Sequence, residues 1–333
     1  MSMNDLESYI LEIDDVVRSV EKEVNLFPQP DVEKIETVKF AKERFIEGGK
    51  RYRPLLAYAT YKALTHDDSY EKIKYYMCLM ELIHSGLLDI DDVQDKSYLR
   101  RGKETTWVKI GVEQAINTGL INTLAMPYKL LAFYTNADKL AKIIGKALYE
   151  TAIGQTLDIK YRKNPDLTTD IQIFIYQAKT GSYTIAMPMA GAAIIAGFDN
   201  MADNLYLIGR DFLSPAFQIK DDILNLFPTK EYGKEFGDDL VEGKPTYVIA
   251  LFNSRANEKD KEIFYRKIGK PLSLDERIEL IKLLEKYNAI SDSEEVAKKF
   301  IARGLEELNK YIPQTKYSEL LYKTIDFGLQ RGR

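Results

Sequence analysis

The chain has 333 residues, 45% hydrophobic and 29% charged, which is enough apolar material for a sizeable core. Its formal net charge of −4 and pI of about 5.6 argue against bulk nucleic-acid binding, which usually presents a basic face. One cysteine, Cys78, excludes an internal disulfide and suits a reducing compartment.

In chain order, Met1 to Asp15 is acidic and lacks a charged-then-apolar signal pattern, so a cytoplasmic location is expected. Helical periodicity dominates. Leu79, Leu82, Ile83 and Leu87 recur at three and four, as do Ile278, Ile281 and Leu284, then Phe300, Leu305 and Leu308. Strand signals are scarce. The expectation is an all-α chain. Breaks fall at Asn25 to Asp31, Thr65 to Ser69, Lys163 to Asp170, Phe198 to Asp203, Phe227 to Pro245 and Gly269 to Ser273. Asp31, Asp203 and Ser273 read as helix N-caps, and Pro54 as a first helical residue. The apolar run Ile185 to Phe198 is too short to span a bilayer and reads as a buried helix, so no transmembrane segment is expected. No composition shift divides the chain, so residues 1–333 read as a single domain.

Chemistry concentrates in two acidic stripes. At about 100° per residue, Asp91 and Asp95 share a helix face with His84, and Asp92 and Asp89 lie beside it. Carboxylates this close repel, so a cation should compensate. Hard carboxylate oxygens with phosphate and water suit Mg²⁺. A solvated acidic face is the plainer alternative for this motif alone. The second stripe is Gln218, Asp221, Asp222 and Asn225, set among Phe217, Ile219, Ile223 and Leu224. Acids embedded in an apolar helix are costly unless paired, so the two stripes together predict metal ions gripping a polyanion. Basic residues match: Lys50 and Arg53 near a helix start, Arg100-Arg101-Gly102, Lys179-Thr180-Gly181, Lys220, Lys234 and Lys244. Two histidines and one cysteine make His/Cys zinc sites improbable.

These pieces, with Gly49 to Pro54, Glu81 to Ser85, Gly154 to Asp158 and Gly233 to Asp239, run in an order that resembles the trans-isoprenyl diphosphate synthases, or head-to-tail prenyltransferases. The match spans roughly residues 40 to 250 and looks geranylgeranyl diphosphate synthase-like. The resemblance implies the isoprenoid synthase fold, a single large bundle of mostly antiparallel helices around a deep central cavity, and a homodimer. It implies two Mg²⁺ ions on Asp91 and Asp95, with Asp92 beside them, and a third on Asp221, with Asp222 nearby. Arg100, Lys179, Thr180, Gln218 and Lys234 would hold the allylic diphosphate, and Asp158 would orient Lys179. Gly49, Lys50, Arg53, His84 and Arg101 would hold isopentenyl diphosphate. Asp91, Asp95, Lys179, Asp221 and Lys234 would carry the catalysis.

Departures are Asn225, Ile90, Lys103 to Trp107 and Asn117 to Thr123, where the family has other residues. In relatives a bulky aromatic at the position of Gly86 shortens the product. Gly86, with Leu87 one turn below Asp91, therefore implies geranylgeranyl diphosphate or longer, with close helix packing as the alternative reading of the glycine. Two other functions compete. A terpene cyclase would have Glu where Thr229 stands, and a non-catalytic partner subunit of a mixed prenyltransferase would fit the loss of charge at Asn225.

Overall fold

In a computed structural model, the structure describes residues 3–27, 35–47, 49–100, 102–227 and 236–329. Asp31, Arg101, Thr229 and Lys234, all named above, lie outside the described residues.

The described chain is helical apart from one two-stranded ribbon. The first helices are α1 (Met3–Glu23), α2 (Glu36–Ile46), α3 (Tyr52–Thr65), α4 (Lys74–Asp95), α5 (Thr106–Ile110), α6 (Val112–Leu120) and α7 (Met126–Leu131). They are followed by α8 (Ala137–Lys160), α9 (Thr169–Ile175), α10 (Met187–Ile195), α11 (Asp199–Ile208) and α12 (Ser214–Asn225). The last are α13 (Asp238–Glu242), α14 (Tyr247–Arg255), α15 (Glu258–Lys267), α16 (Leu274–Lys286), α17 (Ala289–Tyr311) and α18 (Glu319–Leu329). Three segments wind as π-helix: Ile121–Ala125, Tyr176–Ala186 and Gly209–Leu213. The ribbon, unforeseen from the sequence, pairs Leu99 with Glu104 and Arg100 with Lys103.

The chain groups into two compact units, each assembled from three stretches. One holds Met1–Lys142, Pro188–Ala202 and Gln314–Ile325; the other holds Ile143–Met187, Asp203–Pro313 and Asp326–Arg333. In the first, α1, α2, α3, α6 and α7 all pack on α4, which is buried over most of its circumference from Tyr76 to Ile83. The apolar run after Ile185 is the buried α10, whose Met189, Ala190, Ala192 and Ala193 are fully enclosed. In the second, α12 lies against α17 and against the two neighbouring π segments.

Local signals succeed and fail for identifiable reasons. Ser273 caps α16 through a capping box, with its hydroxyl accepting from the Glu276 N–H and the Glu276 carboxylate accepting from the Ser273 N–H. Asp203 is not a cap. It sits inside α11, which starts at Asp199 just after the positive-φ Gly197. Pro54 is the third residue of α3, with Arg51 as N-cap. Proline is tolerated there because first-turn N–H groups have no intrahelical acceptor. Among the described residues no helix is long and apolar enough to cross a membrane. Every fourth residue from Val112 to Tyr128 (Val112, Ile116, Leu120, Leu124, Tyr128) is an exposed large apolar side chain.

Gly86 does not leave space, which corrects the expectation drawn from it. A Cβ there would stand 2.3 Å from Thr123 Oγ1 and 2.6 Å from the Gly119 carbonyl oxygen. The glycine lets α4 approach the backbone of α6 and the π segment beyond it. Gly86→Ala should therefore overpack this crossing and destabilise the protein by about 1–3 kcal/mol, measured by urea denaturation.

Candidate active site

The first acidic motif occupies the last two turns of α4. Asp91 and Asp95 stay partly exposed, whereas Asp89 and Asp92 turn inward and are fully buried. A buried carboxylate needs donors. Arg44, from α2, supplies them: its Nε donates to Asp89 Oδ1 at 2.9 Å and its Nη2 to Asp92 Oδ2 at 3.1 Å. Thr106 donates its hydroxyl to Asp89 Oδ1 at 2.8 Å. Arg100 Nε donates to Asp92 Oδ1 at 2.6 Å, and Arg100 Nη2 reaches Asp91 Oδ2 at 3.4 Å. The ribbon holds Arg100 in place, and Gly102 (φ 74°) supports its turn.

Upstream, the basic segment divides by direction. Lys50 is exposed and Arg53 half-buried, while Arg51 is buried at the N-cap of α3. Arg51 Nη1 donates to Glu81 at 2.5 Å and its Nε to Asp14 at 2.8 Å, so Arg51 is scaffold. His84 lines a small pocket with Arg44, Glu47, Arg51 and Glu81. Gly49 is exposed beside Lys50, and Leu87 is half-buried one turn before Asp91.

The second motif belongs to the other unit. A cavity of about 280 Å³ brings together Asp158, Lys179, Thr180, Gln218, Asp221, Asp222 and Lys244, with Asp239 from the Gly233 to Asp239 stretch, all of them named from the sequence. Lys179 stands on the π segment Tyr176–Ala186, a winding often found at functional sites. Its Nζ donates to Asp158 Oδ2 at 3.0 Å, the expected pairing. Gly154 of α8 makes room: a Cβ there would lie 2.2 Å from the Lys179 backbone nitrogen. Thr180 Oγ1 donates to Gln218 Oε1 at 3.1 Å, and Gln218 Nε2 donates to Asp222 Oδ1 at 2.9 Å. Tyr176 donates its phenol hydroxyl to Asp222 Oδ2 and accepts the Tyr247 N–H at 2.7 Å. Burial first, then the neighbouring Asp239 and Asp221 carboxylates, pushes the Asp222 carboxyl well above its ordinary range.

The two motifs share one plan. In each, the first aspartate is half-exposed and the second is buried with both oxygens engaged by protein side chains. Asp92 and Asp222, expected among the metal ligands, have their carboxylates hydrogen-bonded within the protein; the 100° step between adjacent helical residues turns them inward. Asn225 is also structural. Its Oδ1 accepts the Asp239 N–H at 3.0 Å, so the residue that lacks a charge holds Asp239 beside the cavity. Arg44 and Tyr176 could not be found from the sequence because nothing in local spacing ties them to the aspartates. Among the described residues no three acidic, histidine or cysteine side chains converge on one point. Carboxylates presented singly or in pairs suit Mg²⁺, whose remaining positions take water and phosphate oxygens.

Residues 36–284 match the polyprenyl synthetase family model, and the chain belongs to that family. It is a trans-isoprenyl diphosphate synthase, a chain-elongating transferase of prenyl groups, with the all-α isoprenoid synthase fold. The all-trans-nonaprenyl-diphosphate synthase of Rhodobacter capsulatus is 30% identical over 85% of this chain and 86% of that one. The geranylgeranyl pyrophosphate synthetase of Pyrococcus horikoshii Ot3 superposes with TM-score 0.86 at 29% identity, covering 98% of this chain and 99% of that one. The polyprenyl synthase of Caulobacter crescentus CB15, solved with calcium and isoprenyl diphosphate, superposes with TM-score 0.83 at 26% identity, covering 100% and 98%.

Burial raises the Asp89 carboxyl to about 6 from 3.8, against the pull of Arg44 and Thr106 and with a further push from Asp92. The folded state therefore holds this proton more tightly than the unfolded one. The resulting stability is present below about pH 4 and is lost as pH rises through 6. Asp89→Asn removes the dependence. Its stability relative to wild type should improve by about 3 kcal/mol between pH 4 and pH 7 in urea denaturation at each pH.

Proposed function

We propose that this enzyme condenses isopentenyl diphosphate with an allylic diphosphate and releases geranylgeranyl diphosphate or a longer trans-prenyl diphosphate. The observation that carries the proposal is the repeated motif plan: one outward aspartate over one buried anchor, with a diphosphate-binding cation close by. Asp91, Asp95 and Asp221 are the residues that would hold three Mg²⁺ ions. Bound there, the metal would neutralise the charge that gathers on the leaving diphosphate.

The protein side chains complete that task. Arg100, Lys179, Thr180, Gln218 and Lys234 bind the allylic diphosphate, and Asp158 keeps Lys179 aimed. Gly49, Lys50, Arg53, His84 and Arg101 hold isopentenyl diphosphate. When the allylic carbon–oxygen bond breaks, the double bond of isopentenyl diphosphate attacks the cation and a proton leaves, taken up by the released diphosphate. No protein nucleophile is needed; positioned positive charge and exclusion of water do the work. In this proposal residues 1–333 act as one catalytic domain, and one reaction uses both carboxylate sets. Absence of a transmembrane helix among the described residues and a single buried cysteine support a cytoplasmic enzyme.

The test combines purified protein, Mg²⁺, labelled isopentenyl diphosphate and a panel of allylic starters, with chromatography of the dephosphorylated products. Products of geranylgeranyl length or longer are expected, and Asp91→Ala or Asp221→Ala should cut kcat/KM about 10²–10³-fold. Shorter products alone would refute the length assignment. Turnover only after adding a second, related chain would favour the non-catalytic-subunit reading.

The exposed apolar column from Val112 to Tyr128 supports a homodimer, because a patch of this kind usually marks an interaction surface. Leu120→Arg with Leu124→Arg should halve the mass measured by light scattering. An unchanged mass would place the dimer contact elsewhere.

A further inference from the structure

Among the described residues, Arg44 is the one cation that touches both inward carboxylates of the first motif. It also donates to Glu47 Oε2 at 3.4 Å, and Glu47 accepts from Lys103 of the ribbon at 2.7 Å. Its side chain is 12% exposed, against 0% for Asp89 and 1% for Asp92. Arg100 is the other counter-ion of Asp92 and is more open, at 26%.

We propose that Arg44 is a positioning residue that leaves Arg100 available to the substrate diphosphate. The inference rests on the assignment of Arg100 to diphosphate binding. The charge count is the argument. Two buried carboxylates, Asp89 and Asp92, face two guanidiniums, Arg44 and Arg100. If Arg100 swings from Asp92 Oδ1 to a diphosphate oxygen, Asp92 keeps a charged donor only through Arg44 on Oδ2. Without Arg44 the move would strand a buried carboxylate, and such a group is costly without a partner. Arg100 would then stay on Asp92 and bind diphosphate poorly. Arg44 itself is held away from this exchange, because its Nε and Nη2 are committed to Asp89 and Asp92.

The test measures binding of inorganic diphosphate with Mg²⁺ by calorimetry, alongside the KM for the allylic substrate and the melting temperature. Arg44→Gln should raise Kd about ten- to hundredfold, the range for losing one charge-assisted hydrogen bond. Arg44→Lys, which keeps the charge, should recover most of that affinity. Asp89→Asn with Arg44→Gln removes the excess buried charge, so melting temperature should recover while Kd stays weak. The double variant also carries the comparison if Arg44→Gln does not fold. Recovery of Kd together with melting temperature would show that Arg44 only supports the fold and would overturn the inference. Arg100→Gln separates the two levels. If it leaves Kd unchanged, the assignment of Arg100 fails; if it weakens binding and Arg44→Gln does not, the inference alone fails.

Discussion

A carboxylate buried on a helix is costly without donors, and in each acidic motif of this chain the second aspartate has both of its oxygens engaged. Asp92 is met by Arg100 and Arg44, and Asp222 by Gln218 and Tyr176. Removing one partner of a buried ion pair typically costs about 3–5 kcal/mol, so the Asp92 contacts fix the rotation of α4 about its axis, and the Tyr176 hydroxyl orients α12 through a neutral hydrogen bond. That rotation decides where Asp91 and Asp221 point. The two solutions differ in charge. Asp92 sits among cations, whereas Asp222 is held by neutral groups near Asp239, and its proton is accordingly harder to remove.

Backbone approach is the second constraint. At the α4–α6 crossing, Gly86 and Gly119 lie face to face, and a Cβ on Gly119 would meet Ile90 at 2.7 Å. Ile90 covers this glycine with its side chain. Departures from the family pattern at 117–123 fall in the same contact, where Thr118 donates to the Gln114 carbonyl and Asn122 donates to the Ala41 carbonyl and to Ser85. These substitutions serve packing between α2, α4 and α6.

Much of this was legible in the sequence because it is local or periodic. The all-helical class, the buried α10 and the Ser273 cap follow from spacing and side-chain chemistry within a few residues. The Lys179–Asp158 pair was accessible only through family resemblance. What spacing could not show depends on distant partners or on glycine contacts. Arg44 meets carboxylates 45 and 48 positions away, and Tyr176 meets one 46 away. Gly86 looked like room for a product because absence of a side chain reads the same whether the space is empty or filled by a neighbouring backbone. The inward turn of Asp92 and Asp222 was geometrically available from the 100° helical step.

The contact between Gly154 and the Lys179 main chain bears on how this protein can change over time. Where a functional side chain is placed by packed side chains, a substitution can be compensated by resizing a neighbour. Here the neighbour is a peptide unit, which cannot be resized. Drift at position 154 is closed unless the whole π-helical turn moves with it, whereas Thr180 and Gln218 can be exchanged for other hydrogen-bonding pairs. Of the groups around the second motif, the lysine's location is therefore the most conservative element of the design, anchored by a residue that has no side chain.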